Sequence, residues 1–183
     1  MHIVLALLAA VLLSACQSSY APPTTATPSA RLRVLQLGDD NTSIQKLKAA
    51  CLTTDKNSRN FGDHFEKIAR FSGVSDASDL RRLNMPAPPA APTKFTEIAI
   101  DATQPFVLGY DATRFVSGYP QSMVFNCVMG VSFQPVPGAD YEAVISRSGN
   151  SQCRLELHRL TSSGGAVARE AVPGARILRN ACQ

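Results

Sequence analysis

The chain has 183 residues, of which 45% are hydrophobic and 17% charged, and carries a formal net charge of +4. That composition is not that of a disordered chain and leaves enough length beyond the first 30 residues for one ordinary core or two small units. Charge falls in blocks of +4, −4 and +4 over residues 31–94, 95–142 and 143–183, without a Lys/Arg run, so the chain is expected to neutralise itself on folding and to have no nucleic-acid partner.

From Ile3 to Leu13 every residue is Ile, Val, Leu or Ala. Eleven such residues fall short of the roughly 20 that span a bilayer, so the run reads as the apolar core of a signal peptide. It stops at Leu13-Ser14-Ala15-Cys16. This tetrad resembles the lipobox of bacterial lipoproteins, in which signal peptidase II cuts before the cysteine and the new N-terminus is acylated. The resemblance implies a signal peptide over residues 1–15, lipidation of Cys16 with palmitate-type chains, and attachment to a membrane by lipid alone. In enterobacterial lipoproteins an Asp after the cysteine is the usual inner-membrane retention signal. Here Gln17 follows, so the resemblance implies the outer membrane, facing the periplasm, with the cell surface as the other site left open. Residues 16–30 then comprise the lipidated cysteine and a Ser/Thr/Ala/Pro-rich stretch expected to be a flexible tether. Extended at about 3.1 Å per residue, it would hold a folded body up to roughly 40 Å from the bilayer.

Residues 31–84 read as a small, mainly helical part. Leu32, Val34 and Leu37 suggest a short strand before the turn at Gly38-Asp39-Asp40-Asn41. With Asn41 or Thr42 as N-cap, Ile44, Leu47, Ala50 and Cys51 then share one helical stripe. A second helix is expected to open near Asp63, with Phe61, Phe65, Ile68 and Ala69 on one face and Gly73 as its stop. His64 lies in that helix beside Asp63 and Glu66, a solvated face rather than a catalytic or metal group. Residues 85–94 include four prolines between Pro86 and Pro92, a connection that crosses the surface or links two units.

Residues 95–183 read as strands. Thr96, Ile98 and Ile100 alternate with Phe95, Glu97 and Ala99, and Phe106, Leu108 and Tyr110 share a second face. Phe125, Cys127, Met129, Val131 and Phe133 are five apolar residues at period two. Tyr141, Ala143 and Ile145 follow the Pro135-Val136-Pro137-Gly138 turn, and Cys153, Leu155 and Leu157 follow Ser148-Gly149-Asn150. These read as three antiparallel strands joined by two hairpins. Val167, Val172 and Ile177-Leu178 extend the pattern, so the fold class is mainly β, an antiparallel β-sandwich preceded by the small α-helical part. The phrase from Phe133 to Val144 resembles the Pro-Gly-x-x-Tyr corner of fibronectin type III/immunoglobulin-like sandwiches, and also a group of uncharacterised proteobacterial lipoproteins. The resemblance makes Tyr141 the corner tyrosine, its hydroxyl bonding back to the loop.

Beyond Cys16 the chain has Cys51, Cys127, Cys153 and Cys182, an even number in a chain addressed to an oxidising space, so two disulfides are expected. Their spacing makes a zinc site a poor alternative. On the two-hairpin reading, Cys127 and Cys153 lie two strands apart, beyond disulfide reach, which favours Cys153 with Cys182 and Cys51 with Cys127. No nucleophile elbow, His-Glu-x-x-His, P-loop or dinucleotide motif occurs, and Glu97, Asp101, Asp111, Asp140 and Glu142 read as solvated turn and edge groups. Arg154, Arg159, Arg176 and Arg179 could line an anion-binding face. No cofactor, metal or enzymatic activity is expected. The expected function is protein binding in the cell envelope by a lipid-anchored domain, with an inhibitor or immunity lipoprotein as the alternative.

Overall fold

A computed structural model describes residues 19–50, 52, 65–72, 81–90, 94–118, 121–149, 152–163 and 165–179; the signal-peptide run, Cys16, Cys51, His64 and Cys182 lie outside them. The strands are β1 (Ser29–Gln36), β2 (Asn41–Leu47), β3 (Phe65–Phe71), β4 (Lys94–Asp101), β5 (Phe106–Val116), β6 (Met123–Phe133), β7 (Asp140–Ser148), β8 (Gln152–Ser163), β9 (Ala166–Ala171) and β10 (Arg176–Leu178). They form two five-stranded sheets, ordered β4-β1-β7-β8-β9 and β10-β6-β5-β2-β3. Pairing is antiparallel except between β1 and β7.

Alternation explains how the sheets meet. Leu32, Val34, Ile98, Ile100, Tyr141, Ala143, Ile145, Leu155 and Leu157 from the first sheet share one core cluster with Ile44, Phe71, Leu108, Tyr110, Met129 and Val131 from the second. The strands expected at Phe95–Asp101 and from Phe125 onward are present, as is the β7–β8 hairpin.

No helix occurs among the described residues, and both segments read as helical are strands. Ile44 and Leu47 are three residues apart, the spacing of one helix face, yet on β2 they point to opposite sides. Ile44 joins the main core, while Leu47 joins an outer cluster with Leu52, Phe65 and Val107. On β3, Ile68 and Phe65 divide in the same way, and the register shifts between Ile44 and Gln45 where the ladder passes Ile68. A strand covered on both faces and interrupted by a bulge mimics a helical period.

These strands are not a separate unit. β1 lies between β4 and β7, and β2 lies between β3 and β5, so residues 29–71 supply strands to both sheets. The expected tether is likewise part of the fold from Ser19 onward. Ser19 bridges to Lys67, the Tyr20 amide donates to Lys67 O at 2.8 Å, and the buried Tyr20 ring packs edge-on against Phe106. The Tyr20 hydroxyl donates to Ala99 O at 2.8 Å, and burial raises its pKa above the usual phenol value.

Candidate functional site

Among the described residues no three His, Cys, Asp or Glu side chains converge as metal ligands, and no helix is long and apolar enough to cross a membrane. Four constructions position the remaining chemistry.

The first is the loop between β6 and β7. It carries the chain from one sheet to the other, so it is a crossover and not the expected hairpin. Gly138 takes φ +75° at its bend, a conformation glycine adopts without steric cost. The Tyr141 hydroxyl accepts from the Val136 N–H at 2.9 Å, while its ring packs at a tilt against Phe133, 5.0 Å between centroids. Tyr141→Phe keeps the ring and strands the Val136 N–H. It is expected to lower the unfolding free energy by about 1 kcal/mol in urea titration, and an unchanged value would remove the bond from the fold's stability.

The crossover also reverses the disulfide expectation. Because β6 and β8 lie in opposite sheets, Cys127 and Cys153 face each other across the core instead of two strands apart in one sheet. They form a disulfide with Cα atoms 6.0 Å apart, in place of the favoured pairings of Cys51 with Cys127 and Cys153 with Cys182. Cys51 and Cys182 lie outside the described residues. The Tyr110 hydroxyl sits 3.6 Å from Cys127 Sγ, and burial pushes its pKa up to about 12, against the nearby Arg147 cation.

The third construction is a charged row on the outer face of the first sheet. Register places Arg33 opposite Glu97 on one side and Glu142 on the other. Arg33 donates to Glu97 Oε1 at 2.8 Å and to Glu142 Oε2 at 3.0 Å, and all three side chains are at most 2% exposed. Arg169 closes the row on Glu142 at 2.6 Å, and the Arg31–Asp140 pair lies alongside; these bonds raise the pKa of both arginines. Glu97 and Glu142, expected as solvated edge groups, are buried.

Their cover is the Pro-rich connection. Arg33 donates to Met85 O at 3.0 Å and Ala87 O at 2.9 Å, while Glu97 Oε2 accepts from the Leu83 N–H at 2.5 Å. Arg82 lies over the Phe95 ring at 3.6 Å. Residues 81–90 therefore form a strap across the sheet, and the reading of a surface connection describes them better than that of a flexible linker. The four arginines read as a possible anion face do not share one. Arg154 and Arg159 are five residues apart on β8 and face opposite sides, while Arg176 belongs to β10 of the other sheet.

The fourth construction lies beyond the apolar runs that close at Tyr110 and open at Phe125 in the sequence. β5 and β6 continue as a ladder out to Val116↔Met123. β2 leaves β5 at Thr113, and β10 touches β6 only at Gly130–Ser132. Beyond those points, among the described residues, the two strands are paired only with each other, forming a two-stranded arm. Its side chains are exposed and apolar: Phe115 is 65% exposed, Met123 51% and Val124 54%. At its base Arg114 Nε meets Asp40 Oδ1 at 2.6 Å, while Arg147 Nε meets Asp40 Oδ2 at 2.5 Å. Gln36 holds the same turn through Asp40 O at 2.6 Å. One buried carboxylate thus fixes the arm to both sheets. The legible signal was the absence of any acidic residue between Asp111 and Asp140 in strand-forming sequence.

No protein-family model matches this chain, and no curated protein matches it either.

Proposed function

We propose that this chain is a lipoprotein anchored through Cys16, facing the periplasm from the outer membrane, and acting by protein binding through an immunoglobulin/fibronectin III-like sandwich. The observation that carries this reading is the Leu13-Ser14-Ala15-Cys16 tetrad ahead of a domain bridged by Cys127–Cys153. A bridge between sheets fits an oxidising compartment, which is where the tetrad would send the chain. The Tyr141–Val136 bond at the crossover supports the sandwich corner. An inhibitor or immunity lipoprotein against an envelope enzyme or toxin is the second reading, favoured by the same exposed arm.

Metabolic palmitate labelling of the wild type and Cys16→Ser tests the anchor. Label is expected in the wild type alone, and label that survives the substitution, or is absent from both, overturns it. Affinity purification from detergent-solubilised envelope separates the two readings: a stoichiometric envelope component supports the first, a wall hydrolase or toxin the second.

A further inference from the structure

We propose that the β5–β6 arm is a docking element that inserts into an apolar cleft of a protein partner, on the side of the domain turned away from its own membrane. The direction rests on the lipoprotein reading; the surface rests on the geometry alone.

The arm has the shape of a wedge. In register, Phe115 pairs with Val124 on one face and Val116 with Met123 on the other, so both faces are apolar. Between Asp111 and Asp140 there is no acidic residue and one basic residue, Arg114, whose guanidinium is already bound by Asp40. A neutral wedge of this kind selects a hydrophobic cleft rather than an oppositely charged surface. Asp40, Arg114 and Arg147 hold the base in place before any partner arrives, so little ordering is left to binding.

Area argues against a second copy. A stable interface buries about 800 Å² per partner, whereas two arms stacked about a two-fold axis cover one face each, and the Phe115–Val124 face carries a single aromatic, worth about 150–250 Å² when fully buried. A concave partner covers both faces and the edges of the arm.

The position of the chain before Ser19 argues against the anchoring membrane. Ser19 bridges Lys67, which pairs with Gln45, which pairs with Gly109. Cys16 is three residues earlier, at most about 11 Å of chain. From Gly109 to Val116, where the β5–β6 ladder ends, is seven residues along β5, about 23 Å at about 3.3 Å each. The anchor therefore holds the domain close to the bilayer, not roughly 40 Å away, with the apolar tip directed outward.

The test places a photo-crosslinking phenylalanine analogue at Phe115 or Val124, and at Val136 as control, in the full chain expressed in its cells. Val136 is 45% exposed but lies in the β6–β7 crossover, at the opposite end of β6 from the arm. The expected result is one protein adduct from both arm positions and none from Val136. Met123→Glu should reduce its yield about tenfold while circular dichroism and thermal midpoint stay as in the wild type. An adduct of twice the chain mass, an adduct to lipid, the same adduct from Val136, insensitivity to Met123→Glu, or no adduct overturns the proposal. Palmitate labelling of the same cells keeps the two readings apart: labelled chain without an adduct removes the docking role, whereas an adduct without label removes the anchor and the assigned direction.

Discussion

Arg33→Ala is expected to lower the unfolding free energy by about 3–5 kcal/mol, because it leaves two carboxylates buried with their shared cation gone. Glu97 and Glu142 are 2% and 1% exposed and both bind this one guanidinium. Arg169 can still meet Glu142, but Glu97 keeps only the strap amides. The second consequence is local. Asn84 and Ala87 hold positive φ of 54° and 50°, an unfavourable conformation for residues with a Cβ, and the Arg33 bonds to Met85 O and Ala87 O help keep the strap there.

Urea unfolding measures the first effect and limited trypsin digestion the second, since Arg81 and Arg82 enter the strap. Faster cleavage at these two sites than elsewhere in the chain is expected. Adding Glu97→Gln and Glu142→Gln to Arg33→Met should restore most of the loss, because the cost lies in stranded charge more than in lost attraction. If Arg33→Ala unfolds at the wild-type urea concentration with wild-type cleavage, the strap is held by something other than this row.

The burial of this row explains how far the sequence could be read. β4, β6, β7 and β8 were legible because their core-facing apolar residues recur at period two, as Ile98 and Ile100, Cys127, Met129 and Val131, Tyr141, Ala143 and Ile145, and Leu155 and Leu157 do. β2 and β3 were not, since Ile44 and Leu47 serve different clusters on opposite faces and imitate a helical stripe. Glu97 and Glu142 sit at ordinary outward positions of well-read strands; the strap residues Leu83 and Met85 meet Glu97, Arg33 and Arg169 meet Glu142, and no local pattern reports either. Tyr20 shows the same limit, a single aromatic in a Pro/Thr-rich stretch whose anchoring depends on Phe106, Ala99 and Lys67. The arm failed differently: its apolar residues look like core because period two cannot tell a strand inside a sheet from one that has outrun its neighbours.

Breaking the Cys127–Cys153 bridge with Cys127→Ala and Cys153→Ala is expected to cost about 3.5 kcal/mol, the chain-entropy value for a loop closed over a separation of 26 residues. In a domain of this size that corresponds to a thermal midpoint lower by about 10 °C. Tryptic mapping of the oxidised protein tests the connectivity itself. Cleavage after Arg114, Arg147 and Arg154 puts Cys127 in residues 115–147 and Cys153 in residues 148–154, and these two peptides are expected to be linked. That bond leaves Cys51 and Cys182 as the only partners for each other among the cysteines after Cys16. Leu52, next to Cys51 in sequence, and Leu178, four residues before Cys182, pack in one outer cluster, at 3.3 and 3.5 Å from where a Cβ on Gly130 would stand. Finding residues 148–154 linked to the peptide of Cys182 instead would remove the covalent bridge between β6 and β8.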